Sequence, residues 1–133
     1  MNGRYDKGRE KFLRAEIDWL TDTFKAVLVS ASYTPNLATH EFLSDISAGA
    51  RVATSDAIGN KTVTAGWAGT DQVVWQAVSG APCAAIVVIK DTGLVGTSPL
   101  LAYIDTGITN IPLGPTGEKV TFIIHPGTGL FRL

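Results

Sequence analysis

The feature that most constrains the fold is a series of short apolar segments that recur at regular intervals after residue 50. Their boundaries are Arg51–Ser55, Lys61–Trp67, Gln72–Val78, Ala84–Lys90, Leu100–Asp105, Lys119–His125 and Leu130–Leu133. Residues typical of turns, chiefly glycine, proline, asparagine and aspartate, separate these segments. An earlier segment, Asp18–Ser32, contains a β-branched apolar run that also indicates a strand. Strands at intervals of roughly ten residues are typical of antiparallel sheets, so the sequence predicts an all-β fold, either an antiparallel β-sandwich or a barrel.

The N-terminal residues depart from this pattern and indicate a short helix from Asp6 to about Arg14. Asp6 is a suitable capping residue, while Phe12 and Leu13 give the helix one apolar edge beside a largely basic polar face. Gly8 weakens the helix, because glycine has a low helix propensity. A helix this short is not stable alone, so we expect it to dock on its own domain or on a neighbouring subunit.

We therefore divide the chain into an N-terminal helical arm, residues 1–17, and a single β domain, residues 18–133. A helical turn or two capped by Thr39 is expected between the first strand and the later ones. His40 lies in this cap region, and a solvated or cap-bonded histidine is expected there rather than a catalytic base.

Two of the strand segments are apolar on both faces, which a simple sandwich does not require. These are Gln72–Val78 and Ala84–Ile89. Three arrangements would cover the additional face: the N-terminal helix, a partner subunit, or long loops that make these strands central. Self-association is therefore one of the expected properties of the chain.

Composition excludes several classes of function. The chain has 133 residues, 45% of them hydrophobic, and a formal net charge of −1, so it lacks the basic field that holds a nucleic-acid backbone. The longest apolar run, Cys83–Ile89, is too short to cross a bilayer. One cysteine and two histidines make a structural zinc site or an intrachain disulfide implausible, and no cofactor-binding motif is present. We expect no cofactor, no metal, no nucleic acid and no membrane partner, and we expect Cys83 to be a small buried apolar residue.

Two Asp-Thr-Gly triplets, beginning at Asp91 and Asp105, resemble the signature of aspartic proteases, in which two carboxylates share one proton. The two triplets are too close in sequence for a two-lobed protease, and too little chain follows the second to build a cleft. We interpret both as turns that end strands, with the aspartate accepting local backbone hydrogen bonds and the glycine adopting a positive φ. An enzyme in which Asp91 or Asp105 is catalytic is therefore a less favoured hypothesis than either of two non-enzymatic functions.

Several distinctive stretches resemble a family of small structural proteins encoded by tailed bacteriophages. The stretches are Tyr5–Leu13, Val29–Ile46, Ile89–Gly93, Thr97–Thr106 and Phe131–Leu133. The resemblance spans nearly the whole chain, although Thr62–Gly80 matches the family less well. It implies a component of the virion, made in the cytoplasm of the bacterial host, and it carries no catalytic motif.

Two non-enzymatic functions follow from the resemblance. The first is a capsid decoration (cement) protein, a homotrimer that binds the major capsid protein and stabilises the head shell. The second is an adaptor or host-binding module in the tail, tail tip or fibre base. Head or tail position, oligomer number, host and partner surface are not encoded in any motif of the sequence.

The residues expected at interfaces fall into two groups. The basic helix and the tryptophan that follows it are expected to contact the shell; these residues are Lys7, Arg9, Phe12, Leu13, Arg14 and Trp19. The apolar strands that contain Trp75 and Ile86 are expected to pack between copies. No catalytic, cofactor-binding or metal-binding residue is predicted.

Overall fold

The computed structural model describes residues 3–70, 72–105, 117–123 and 129–132. Within these residues the chain forms one α-helix, one 3₁₀ turn and ten short strands. In chain order they are β1 (Gly3–Arg4), α1 (Asp6–Leu13), β2 (Phe24–Ser30), the 3₁₀ turn (Leu43–Asp45), β3 (Arg51–Thr54), β4 (Thr62–Thr64), β5 (Trp67–Gly69), β6 (Gln72–Trp75), β7 (Cys83–Lys90), β8 (Leu100–Ile104), β9 (Val120–Ile123) and β10 (Phe131–Arg132).

The strands form three antiparallel sheets packed as a sandwich. The largest sheet has five strands in the order β1-β8-β7-β2-β3, and it faces a three-stranded sheet, β10-β5-β4, and a two-stranded sheet, β6-β9. The sheets do not close on one another, so the prediction of an all-β sandwich with a short N-terminal helix is confirmed and the barrel alternative is not.

Both faces of the large sheet are buried, and its central strands divide their side chains between two apolar layers. On β2, Leu28 points to the layer shared with the smaller sheets, while Val27 and Val29 point to the opposite layer. On β7, Ile86 and Val87 are divided in the same way. This alternation follows from the two-residue period of a strand, and it explains why both strands are apolar throughout.

The second face of the large sheet is covered by the chain itself. Tyr33, Leu43, Ile46 and Ala50, from the segment between β2 and β3, are buried over it together with Tyr5. Of the three coverings considered from the sequence, the long-loop arrangement is the one observed on this face. The large sheet therefore needs no partner subunit to exclude water from its outer side.

Helix α1 docks on β8, as expected for a helix too short to be stable alone. Its N-cap is Tyr5 rather than Asp6; Asp6 is the first helical residue and its carboxylate binds the guanidinium of Arg9. Gly8 is the buried residue of the helix, and it lies directly against the backbone of Leu100 and Leu101.

Two other sequence predictions are corrected. The segment Lys61–Trp67 is not one strand but a hairpin, because Ala65 and Gly66 adopt positive φ angles of 51° and 81° and reverse the chain between β4 and β5. The helical turn near residue 40 is the 3₁₀ turn Leu43–Asp45, and Thr39 does not cap it. The Asp45 carboxylate instead accepts hydrogen bonds from the Glu41 and Phe42 amides, at 2.7 and 3.0 Å.

Candidate interaction surface

Three of the residues expected at interfaces are enclosed by the domain. Trp75 and Ile86 are each 1% exposed and Trp19 is 5% exposed. The Trp75 indole Nε1 donates to the Ala26 carbonyl at 3.0 Å, which joins the two layers of the sandwich. The expectation that Trp75 and Ile86 pack between copies is therefore corrected: their apolar surface is buried within one copy and is not available to another.

Three basic residues expected to contact the shell, Lys7, Arg9 and Arg14, are paired with intrachain carboxylates. Lys7 pairs with Glu10 at 3.6 Å, Arg14 pairs with Glu16 at 3.9 Å, and Arg9 pairs with Asp6. Exposed pairs of this kind add little stability, but they remove the free positive charge that the sequence suggested. The arm is not a basic patch.

Leu13 is the most exposed large apolar residue described, with 88% of its surface accessible at the end of α1. The preceding residue, Phe12, is partly buried against the main core. The apolar edge predicted for the helix is therefore divided between the core and the solvent. Leu13 remains a candidate contact residue, as the sequence suggested.

Next to this edge lies a cleft of about 360 Å³ that we call the aromatic groove. Phe12, Trp19, Val63, Trp67 and Phe131 line it together with Ala15, Ile17, Asp18, Gly66 and Ala68. The ring centroids of Trp19 and Phe131 are 5.4 Å apart in an edge-to-face arrangement, a geometry that aromatic pairs favour. The groove is as large as ordinary ligand-binding clefts, which span roughly 300–1,000 Å³.

The groove is held in place by hydrogen bonds in its floor. The Trp19 indole Nε1 lies 3.1 Å from the Thr62 carbonyl oxygen and 3.3 Å from that of Gly69, and so ties residues 17–20 to the β4–β5 hairpin. The hairpin turn at Ala65 and Gly66 then places Trp67 beside the opening. Among the described residues of the lining, the charged one is Asp18, and its carboxylate accepts the Leu20 amide at 3.0 Å.

A second apolar feature stands on the loop between β7 and β8. Leu94 and Val95, which we call the apolar tip, are 66% and 44% exposed. Sequence reasoning treated residues 91–98 only as a turn. Two large apolar residues between Gly93 and Gly96 were the available signal, because a solvated loop rarely needs such a pair.

The first Asp-Thr-Gly triplet is a turn, as predicted. The Asp91 carboxylate accepts the Gly93 amide at 3.0 Å, and Gly93 has a φ of 88°. This hydrogen bond, together with a 3.0 Å ion pair to Lys25, lowers the pKa of Asp91 and keeps it ionised. In the second triplet only Asp105 is described; Thr106 and Gly107 lie outside the described residues.

The two triplet carboxylates do not form a dyad. Strands β7 and β8 pair Ile86 with Ile104 and Ile89 with Leu100. Asp91 therefore follows one end of this hairpin and Asp105 the other, roughly 20 Å apart at about 3.3 Å per residue. Carboxylates separated in this way cannot share a proton.

His40 is bonded locally, as the sequence suggested. Its Nδ1 lies 3.2 Å from the Asn36 amide, which donates to it, and 2.9 Å from the Tyr33 hydroxyl. The Tyr33 hydroxyl lies 2.6 Å from that of Tyr5, which is fully buried. Burial raises the pKa of both tyrosines, so the two hydroxyls stay protonated and their contact is structural.

The remaining titratable groups give no further site among the described residues. Cys83 is a free, buried thiol whose pKa is raised by burial, as expected for a small apolar residue. No group of three or more histidine, cysteine, aspartate or glutamate side chains in the described ranges is arranged to hold a metal ion. None of the helices in that part of the chain has the length and apolarity needed to span a bilayer.

Comparison of the chain with models of protein families and with curated proteins finds no match. The geometry of the aromatic groove, the apolar tip and Leu13 is therefore the basis for assigning a surface.

Proposed function

We propose that this chain is a non-enzymatic structural protein of a tailed-bacteriophage particle, and that it decorates and stabilises the head shell. The proposal is supported by the positions, within the fold, of the stretches that resemble phage structural proteins. They are distant in sequence but adjacent in the fold, and they bond to one another through the backbone.

Four backbone hydrogen bonds illustrate this arrangement. The Tyr5 and Asp6 amides donate to the Leu101 and Leu37 carbonyls at 3.0 and 2.7 Å. The Leu100 amide donates to the Glu41 carbonyl and the Leu43 amide to that of Ser98, both at 2.9 Å. The stretches that resemble phage structural proteins thus build the scaffold and its outer layer, which fits a protein whose role is architectural.

The way in which such a protein acts follows from its surface. It provides a rigid, nearly neutral domain that binds many equivalent positions of a lattice, so a modest contact per copy is sufficient. Among the predicted shell contacts, Leu13 offers the largest exposed apolar surface, and the charges of Lys7, Arg9 and Arg14 are paired within the chain. We assign the shell contact to this end of α1, and we retain the homotrimer as the proposed assembly.

The experiment adds the purified protein to phage heads that lack it and counts bound copies by quantitative mass spectrometry. The expected result is hundreds of copies per head and a higher temperature of head disruption. A few copies, or binding confined to a tail ring, would replace head decoration with the tail adaptor function. No binding to any part of the particle would remove the virion function altogether.

The shell contact is tested by Leu13→Asp, with Leu20→Asp as the matched control. Leu20 is also an exposed leucine, at 55%, and it does not line the aromatic groove. Leu13→Asp is expected to reduce head binding strongly while Leu20→Asp leaves it unchanged. Removing residues 1–14 would be a poor test, because it would also remove the buried Tyr5. Equal head binding by both variants would refute the assignment.

A further inference from the structure

The apolar tip is rigid, although it is exposed. The Thr92 hydroxyl lies 2.6 Å from that of Thr97, and the Ser98 hydroxyl donates to the Leu94 carbonyl at 2.8 Å. The Val95 carbonyl accepts the Ser44 amide at 3.0 Å, which fixes the tip to the outer layer of the fold. An exposed apolar pair on a preorganised loop loses little conformational entropy on binding, and this is a property of interface anchors.

The aromatic groove offers the complementary shape. Its walls are aromatic and aliphatic, and it has room for the side chains of a leucine and a valine. Its floor is fixed by the Trp19 hydrogen bonds described above, so the cleft exists before anything occupies it. Burying apolar side chains against such walls is favourable because it removes their surface from water.

The chain itself supplies both an exposed apolar pair and an apolar groove, and charge does not oppose a second copy as the occupant. No residue from Thr92 to Ser98 is charged, and Asp18, a charged residue of the described groove lining, accepts the Leu20 amide. An uncharged tip therefore brings no charge of its own into the apolar cleft. The net charge of −1 also means that copies do not repel one another strongly.

We propose that the apolar tip of one copy inserts into the aromatic groove of a neighbouring copy. The tip and the groove are different surfaces, so a head-to-tail series of such contacts closes into a ring when the rotation between neighbours allows it. The ring of three is the assembly proposed above, and each copy in it has two such contacts. This inference rests on the self-association in the proposed function and not on head binding.

The first experiment measures oligomeric state by sedimentation velocity over a range of protein concentrations, without phage particles. Wild type is expected to form a trimer. Leu94→Asp, in the tip, and Val63→Asp, in the groove, are each expected to weaken association by about thirtyfold or more, as loss of an interface anchor does. Leu20→Asp, the control, is expected to associate as wild type does. Leu94 and Val63 are 66% and 58% exposed, so both variants are expected to fold.

The second experiment mixes the two defective variants. The groove of Leu94→Asp and the tip of Val63→Asp are intact, so a mixture restores one tip-groove contact and is expected to form a heterodimer that does not close into a ring. If either variant is misfolded by its near-ultraviolet circular dichroism, Leu94→Ser and Val63→Lys replace it. A wild type that stays monomeric, variants that associate normally, or a mixture that forms no heterodimer would each overturn the proposal.

Failure of this inference and failure of the proposed function are distinguishable. A monomeric wild type that still binds heads would refute the tip-groove contact and the homotrimer, and would leave head decoration standing. If wild type is monomeric and the groove variant Val63→Asp loses head binding, the groove instead binds a different protein.

Discussion

The α-carbon of Gly8 faces the carbonyl oxygen of Leu100, with no room between them for a methyl group. Glycine at this position weakens the isolated helix, as the sequence indicated, but it allows α1 to lie flat on β8. Local propensity and tertiary packing are in conflict here, and packing determines the residue.

We therefore predict that Gly8→Ala destabilises the protein despite alanine's higher helix propensity. The gain in propensity is about 1 kcal/mol, whereas overlap with a backbone carbonyl in a close-packed contact costs about 1–3 kcal/mol and displaces the helix. Chemical unfolding followed by tryptophan fluorescence measures the difference. Lys7→Ala, on the exposed side of the same helix, is the control and should change the free energy of unfolding little. A stabilised Gly8→Ala variant would contradict the close contact.

The pair formed by Tyr5 and Tyr33 gives a second prediction. Tyr33→Phe leaves the buried Tyr5 hydroxyl without the partner that lies 2.6 Å away, and an unsatisfied buried hydroxyl costs about 1–3 kcal/mol. Tyr5→Phe should cost less, because the Tyr33 hydroxyl retains its contact with His40 at 2.9 Å. Urea unfolding of the two single variants and of the double variant gives the coupling free energy between the two hydroxyls. If the two single changes lower the free energy of unfolding equally, the contact between Tyr33 and His40 adds nothing to stability.

Acid stability provides a third prediction. The Glu41 and Phe42 amides lower the pKa of Asp45, and similar hydrogen bonds with a lysine partner lower those of Asp22 and Asp91. Because these values lie below 3.8 in the folded chain, the unfolded chain binds protons first as the pH falls. The stabilisation is complete above about pH 5 and is lost progressively as the pH falls through the folded pKa values.

The measurement is thermal unfolding between pH 7 and pH 2. Asp45→Asn is expected to show a shallower decline of melting temperature with acidification than wild type, because one of the contributing carboxylates is gone. Parallel curves for wild type and Asp45→Asn would show that this carboxylate does not contribute.

The β4–β5 hairpin gives a stabilising prediction. Ala65 has a φ of 51°, a left-handed conformation that is unfavourable for alanine and well tolerated by asparagine. Ala65→Asn creates the Asn-Gly sequence preferred in two-residue hairpins and should raise the free energy of unfolding by about 0.5–1 kcal/mol. Ala38→Asn, at an exposed position outside the left-handed region, is the control. If Ala38→Asn raises the free energy of unfolding as much as Ala65→Asn does, the gain comes from the added asparagine itself and not from the turn.

Periodicity was sufficient to predict the fold class and most of the strands, but not β1 at Gly3–Arg4. Alternation along Phe24–Ser30 and Cys83–Lys90 is a local property, so it can be read directly from the sequence. The helix was predictable for the same reason, with an end near Arg14 where the structure has Leu13. The prediction failed at Ala65, where an alanine in an unusual conformation gives no turn signal in sequence.

The candidate surface was less predictable, because it depends on contacts between distant residues. Trp75 and Ile86 are apolar, but the sequence cannot show whether an apolar face meets another sheet or another copy. The aromatic groove combines Trp19 with Trp67 and Phe131, which lie in three separate segments. Leu13 was the exception, since an apolar residue at the end of a polar helix is a local signal.

The segment between β2 and β3 also affects how the chain can meet a partner. Because its Tyr33, Leu43, Ile46 and Ala50 already shield the outer side of the large sheet, that side excludes water before the polypeptide meets any partner. A partner that binds over it and later leaves then requires no refolding of this layer and exposes none of these apolar residues. If the chain decorates a shell as proposed, single copies can be exchanged there through surface contacts.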